Sequence, residues 1–467
     1  MEASSRFGKN ADSGLKLCGV TWGLFPSLQA AWLISSEKWF NVKGIDYLKL
    51  TGGYEMSGND NIDYYATRTY FSNFQFLDKA TGLVLANIKN PKLQWETTKR
   101  FNIGLQASLL NNRVNLALEY FNSKTDNLLT RKSVSDVTGL STMWSNDGAL
   151  SNKGVDFNIN AMLIQHKDWR WQAGFSIGHY KNEITSLPTS NLNIIRTYAL
   201  NEDGSRGAET QIHGYTSSIY GSNNVLTAVG KAAGLFYGYK TAGVFATDAE
   251  AASAGKYGYL RYPTGLSEQP SRDFRAGDVH FVDQNGDGWI NEADMVVIGD
   301  PNPDIYGNIF TSLSWKSLKL DVNFKYSLGN DVYNYQRSQL ESLNTNWNQT
   351  TAAVNRWRYE GQKTDMPRAM YTTSDQWVNN ERFSDRWIED GSYLKLKNIR
   401  LTYKIPVNLS WLLGLSVWGE CNNVFTISKY TGNDPEFSAG NGVLYQGIDA
   451  GYLPQSRNFT LGVTINL

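Results

Sequence analysis

The sequence predicts an all-β protein, an antiparallel transmembrane β-barrel with about 12–14 strands and long extracellular loops. Three observations carry this. Apolar and polar residues alternate with period 2 over six long tracts. The connections between tracts alternate between short and long. No run of about 18 apolar residues offers a membrane helix, and a negative mean hydropathy is what alternating strands produce.

Each tract reads as one strand. Phe101, Ile103, Leu105, Ala107 and Leu109 share a face, opposite Asn102, Gly104, Gln106 and Ser108. After Asn111-Asn112 the phase resumes with Val114, Leu116, Leu118 and Tyr120. Val155, Phe157, Ile159, Ala161 and Leu163 oppose Asp156, Asn158 and Asn160. Trp169, Trp171, Ala173, Phe175 and Ile177 oppose Arg170, Gln172, Gly174 and Ser176. Leu318, Leu320, Val322, Phe324 and Tyr326 oppose Lys319, Asp321, Asn323 and Lys325, and Phe459, Leu461, Val463 and Ile465 close the series. These tracts run about 9–13 residues, close to the ~9–11 that cross a bilayer. Their second face is rich in Asn, Gln, Ser and Gly, as a wet lumen requires, and Trp169, Trp171, Trp315, Tyr120, Tyr326 and Tyr403 stand near strand ends, where an interfacial girdle places aromatic rings.

Asn111-Asn112, Gln165 to Asp168 and Ser317 read as tight turns on one rim. The stretches 56–96, 181–224, 245–304 and 331–390 read as long polar loops on the other.

Composition narrows the chemistry. The 467 residues carry 44 Lys+Arg and 44 Asp+Glu, so net charge is zero and the electrostatic footprint of a nucleic-acid binder is missing. Cys18 and Cys421 cannot make a disulfide framework or a zinc site on their own, and the four histidines, His166, His179, His213 and His280, lie at no metal-ligand or nucleophile-base spacing. Glu389-Asp390 is an adjacent carboxylate pair in a polar loop and carries no acid/base expectation. An enzyme lacks its constellation here.

The sharpest motif is Asp283-Gln284-Asn285-Gly286-Asp287-Gly288-Trp289-Ile290-Asn291-Glu292-Ala293-Asp294. Oxygen donors fall at loop positions 1, 3, 5 and 12, with glycine at 6 for the sharp turn and the Trp289 carbonyl at 7. Asp283, Asn285, Asp287, Trp289 and Asp294 are therefore the expected ligands of a structural Ca2+ that pins the loop 245–304. Asp at position 12 instead of a bidentate Glu weakens the site, and no helix pair flanks it. The competing reading is an Asx-rich solvated loop. Tyr64, Tyr65, Tyr70, Trp144, Tyr215 and Tyr220 either stack on ligand rings or pack the loops on each other.

Several motifs resemble the SusC/RagA type of TonB-dependent outer-membrane transporter: Trp95-Glu96-Thr97-Thr98 leading into Phe101 to Leu105; Glu119 to Leu129; Asn152-Lys153-Gly154-Val155-Asp156; Asp390-Gly391-Ser392-Tyr393-Leu394-Lys395-Leu396-Lys397-Asn398-Ile399; and Asn422 to Thr426 with Tyr430-Thr431-Gly432-Asn433-Asp434-Pro435-Glu436. The calcium-like loop followed by Gly299-Asp300-Pro301-Asn302-Pro303 is similar as well. The order matches over essentially the whole chain. The resemblance implies that 1–467 is the C-terminal portion of the barrel, set in outer-membrane lipid. The signal peptide, TonB box and plug would precede Met1, which lacks the basic and apolar regions of a signal peptide. It further implies active import of a glycan or peptide fragment, a SusD-like lipoprotein as lid, and the TonB complex acting through the plug. A secreted glycan-binding β protein with aromatic-rich loops is the alternative. The last residue, Leu467, departs from the aromatic common at the end of such barrels.

Overall fold

The computed structural model describes residues 2–9, 22–62, 65–76, 80–140, 142–189, 193–201, 206–221, 223–255, 260–263, 271–374, 376–407 and 411–466. Cys18 and Tyr64 lie outside them.

Twelve strands form one sheet: β1 Glu2–Lys9, β2 Trp22–Leu33, β3 Ile45–Asn59, β4 Glu96–Leu109, β5 Val114–Ser133, β6 Thr142–Gln165, β7 Trp169–Ser186, β8 Ile305–Trp315, β9 Leu318–Leu328, β10 Tyr393–Ile405, β11 Gly414–Ser428 and β12 Asn458–Asn466. Each pairs antiparallel with its neighbours in chain order. No pairing joins β12 back to β1 among the described residues. The short connections 34–44, 110–113, 166–168, 316–317 and 406–413 share one rim; 60–95, 134–141, 187–304, 329–392 and 429–457 share the other. The turn at 110–112 is built on three residues with positive φ, Leu110, Asn111 and Asn112, a conformation that asparagine tolerates.

Register turns the alternation into continuous rows. Trp169, Trp315, Leu318, Tyr403, Val417 and Val463 stand side by side across six strands. Leu116, Ile159, Phe175, Ile309, Phe324 and Leu396 do the same further along. Many of these apolar side chains are open: Ile309 is 41% exposed and Val463 62%. The Trp169 and Trp315 rings stack at 5.7 Å beside the short turns, where an interfacial belt belongs. The other face carries Asn160, Gly174, Phe310, Asn323, Asn398 and Asn422 in one row, and Gln172, Ser312, Asp321, Arg400, Glu420 and Thr460 in the next. Gly307 is required by this packing, because a β-carbon there would stand 2.0 Å from the Ser176 carbonyl oxygen.

Two expectations need correction. β5, β6 and β7 run 20, 24 and 18 residues, well past a bilayer, and continue on the long-loop rim. There Glu96 accepts from the Leu129 amide at 2.9 Å and Asn146 donates to Gln94 and Asn127, so the extended ribbon is braced from 94–96. The long loops are also not bare. The connection 187–304 carries a five-stranded sheet, Asn193–Leu200, Arg206–Ser218, Asn223–Ala228, Leu235–Gly238 and Val296–Gly299 in that order. The connection 60–95 carries the hairpin Tyr70–Phe76/Ala80–Asn87.

The hydrophobic core sits in these loops, not in the barrel. One cluster gathers Phe245, Leu260, Phe274, Val279, Phe281, Ile290 and Val378; a second Val225, Phe236, Tyr333, Phe383, Trp387 and Ile448; a third Ile212, Leu226, Leu235, Tyr237 and Met295. The physical reason is the solvent. Barrel residues satisfy their apolar face against lipid, whereas segments projecting into water must bury theirs against each other. Among the described residues no helix is long and apolar enough to cross a membrane.

Candidate functional site: the inner wall and the loop assembly above it

The loop assembly is cross-linked by buried ions that join distant segments. Asp278 is fully buried and accepts from Arg368 Nε and Nη2 at 2.7 and 2.8 Å, from Asn380 at 3.0 Å and from the Arg275 amide at 2.8 Å. Burial pushes its carboxyl up, and the Arg368 guanidinium opposes that. Arg382, 7% exposed, lies among the rings of Tyr262, Phe281, Tyr239 and Phe274, with its guanidinium carbon 4.1 to 5.5 Å from their centres. It donates to the carbonyls of Val378 and Asn379. Rings from 239–281 thus solvate a cation from 378–382 in place of water. Thr241 Oγ1 donates to Asp385 at 2.6 Å in the same seam.

Two further anchors tie the assembly to the barrel and to its own last loop. Glu389 accepts from Arg337 and, through both carboxylate oxygens, from Thr431. Burial raises its pKa, but these hydrogen bonds prevail and hold it below the usual range. Glu389 is accordingly a structural anion. Glu436 accepts from Lys325 Nζ at 2.6 Å, from Lys395 and from Tyr393 Oη at 2.9 Å, seating the segment 429–457 on β9 and β10. Burial works against ionisation, yet the two lysines pull this carboxyl down to about 2.

That depression sets a pH window. A carboxyl depressed from its ordinary 4.5 stabilises the fold above 4.5 and loses that contribution as pH falls toward 2. Hydrogen-exchange protection of 429–457 is therefore expected to decline across this interval in the native protein. Glu436→Gln should be less protected at neutral pH and show no such decline. Equal profiles for the two proteins would remove the anchor.

The calcium-like loop folds as a tight turn held by its own oxygens. Asp283 accepts from Gly286 N and Gly288 N, both at 2.7 Å; Asn285 Oδ1 from Asp287 N; and Asp287 Oδ1 from Trp289 N. Asp294 is 0% exposed and accepts from Gln284 N and Asn291 N, both at 2.9 Å, closing the capping box of the short 3-10 helix Glu292–Asp294. Burial, with Asp283 and Asp287 nearby, pushes its carboxyl up to about 7. Among the described residues no group of three or more His, Cys, Asp or Glu side chains is drawn together as a metal-holding cluster.

The aromatic loop residues mostly pack on protein. Tyr65 meets Tyr70 edge-on at 6.5 Å, Trp144 carries Arg131 over its ring at 4.8 Å, and Tyr220 packs on Tyr335 and shares a 3.1 Å hydroxyl contact with Tyr452. His179 Nδ1 is hydrogen-bonded to the Asp304 carbonyl at 2.6 Å, and Cys421 is a free thiol. Of the residues that organise the site, sequence reasoning missed Asp278, Arg368, Arg382 and the Glu436 cluster. Asp278 left a signal, a lone carboxylate beside Val279 and Phe281; Arg382 left none.

No family model matches the chain. Curated relatives do. Two TonB-dependent receptors of Formosa agariphila are 29% and 30% identical over 99% and 94% of this chain, covering 43% and 42% of their own lengths. The TonB-dependent receptor SusC of Bacteroides thetaiotaomicron is 28% identical over 99% of this chain and 41% of its own. Among solved structures, the RagAB peptide transporter matches with a TM-score of 0.70 at 22% identity, over 96% of this chain and 44% of that one. The RagAB peptide importer in its closed-closed state matches at 0.72 and 22%, over 99% and 45%. The chain thus spans less than half the length of the relatives it matches. Over nearly all of its own length it is similar to SusC/RagA-type TonB-dependent receptors, and its fold is that of the RagA-type barrel.

Proposed function

We propose that this chain, similar along its length to SusC/RagA-type TonB-dependent receptors, forms wall and outer vestibule of an importer in the outer membrane. The observation that carries the reading is the sheet's division into an exposed apolar belt on one face and an amide- and charge-lined surface on the other. The cargo is a glycan or peptide fragment. A SusD-like lipoprotein closes over the long-loop rim, and the TonB complex acts through a plug within the lumen.

Uptake of labelled oligosaccharide and peptide fragments by cells with and without the protein tests this. Protein-dependent uptake that stops when a protonophore collapses the proton gradient is expected. Uptake that survives the protonophore, or protein recovered without detergent, would overturn it; the second result is what a secreted binder would give.

Within this reading, Asp283, Asn285, Asp287, the Trp289 carbonyl and Asp294 hold a structural Ca2+. The ligand spacing supports this, as does the burial of the Asp294 carboxylate at position 12. A bound cation would fix the loop beside Met295, a member of the third core cluster. Isothermal titration with CaCl2 is expected to give heat with the native protein and none with the Asp283→Ala/Asp287→Ala variant. Equal heats for the two would sink the site.

A further inference from the structure

One row on the outward apolar face of the sheet has a gap. Trp171, Leu313, Leu320, Leu401, Gly419 and Leu461 stand side by side across β7 to β12, and only Gly419 lacks a side chain. The gap opens a groove of about 600 Å³ on the membrane side, lined by Leu401, Tyr403, Val417, Gly419, Leu461 and Val463.

Nothing in the chain demands glycine at this place. Gly419 lies outside the left-handed region. A β-carbon there would meet only Leu461 Cδ2, at 3.2 Å, the end of a side chain that is 88% exposed and able to turn away. A glycine inside a strand weakens it, and is a frequent mark of a site that something else approaches closely.

The position of the groove says what approaches. It is continuous with the lipid-facing belt, and its Tyr403, Val417 and Val463 end is in line with Trp169 and Trp315 beside the short turns. Just beyond that row stands Lys316, exposed, with a φ of 51° and its Nζ 5.6 Å from the centre of the Trp315 ring. The Lys404 amide donates to the Ser317 carbonyl at 2.8 Å and holds this turn against β10. A cation at the hydrocarbon boundary, with an apolar trough leading inward from it, matches the two parts of a phospholipid. In the trough an acyl chain touches protein on its floor and both flanks, gaining dispersion contacts that the filled rows do not offer.

We infer that this groove holds an acyl chain of one phospholipid from the leaflet at the short-turn rim, with the phosphate at Lys316. The inference rests on the outer-membrane reading above, in which short turns face the periplasm and the leaflet they reach is the inner one.

The test uses protein extracted from outer membranes in mild detergent, stripped of lipid and titrated with phosphatidylethanolamine or with lipid A. Native mass spectrometry counts the bound molecules. The native protein is expected to take up one phosphatidylethanolamine saturably. Gly419→Leu, which fills the trough, should weaken this tenfold or more. Lys316→Asn removes the charge but keeps a residue that tolerates positive φ, and should weaken it about threefold. Ala107→Leu adds the same side chain to the apolar face of β4, next to Leu116, and should bind as the native protein does. If Gly419→Leu does not reach the membrane, Gly419→Ala adds a single carbon and should weaken binding in the same direction. Five outcomes would overturn the site: no saturable phosphatidylethanolamine binding, equal binding by the native and Gly419 variants, a loss shared by Ala107→Leu, tighter binding of lipid A, or a dimer of the native chain that Gly419→Leu dissolves. Binding indifferent to Lys316→Asn would overturn the place given to the phosphate. The outer-membrane reading fails separately, on protein recovered without detergent.

Discussion

Placing arginine at Ile309 is expected to cost about 2–4 kcal/mol, while arginine at Ser312, three residues along the same strand, should cost well under 1 kcal/mol. Ile309 lies mid-row between Phe175 and Phe324 on the exposed apolar face. In lipid its guanidinium would lose hydration without gaining a partner. Ser312 points the other way, between Gln172 and Asp321, where a cation meets polar neighbours and a carboxylate. The measurement is urea unfolding from phospholipid vesicles, with the amount of each variant in the outer membrane as a second readout. If the two arginines cost the same, the belt is not lipid-facing. If Ser312→Arg proves the more damaging, the faces are assigned the wrong way round.

That asymmetry is also why the barrel was legible in the sequence. A strand with lipid on one side and water on the other must alternate, so the Phe101 to Leu109 tract and the turn at Asn111-Asn112 carry their own signature. β11 was harder to see, because Gly419 and Cys421 interrupt its apolar phase. The strand Trp22–Leu33 has Pro26 and Ala30 where larger apolar residues would mark the face. The pairings within the loop assembly carry no such signature. Its strands are two to thirteen residues long and pair in small, irregular sheets. Its decisive contacts join Tyr239 to Arg382, Thr241 to Asp385 and Asp278 to Arg368 across long stretches of chain. No local pattern announces such pairings. Low hydrophobicity made these segments read as solvated, although they hold most of the buried side chains. The calcium-like motif was legible by spacing because its candidate ligands lie within twelve residues.

Truncating Asp278 should be the most damaging single change in the loop assembly. Asp278→Ala strips the carboxylate from Arg368, whose side chain is only 15% exposed, and leaves that guanidinium buried without a counter-ion. Removing one partner of a buried pair costs about 3–5 kcal/mol, more than the pair itself contributes, since the survivor keeps its desolvation penalty. The bonds from Asn380 and the Arg275 amide are lost with it. The damage should stay local, because these residues project from the barrel and their core is separate from the lipid-facing rows. Amide exchange in 274–281 and 366–382 is therefore expected to accelerate by two orders of magnitude or more, with β8 to β10 unchanged. Arg368→Met in the Asp278→Ala background should restore part of the protection, since the unpaired charge is then gone. Two results would dismantle this account: exchange that rises equally in the barrel strands, which would make loops and barrel one cooperative unit, or a double variant as damaged as the sum of its singles, which would mean that the two side chains are not coupled.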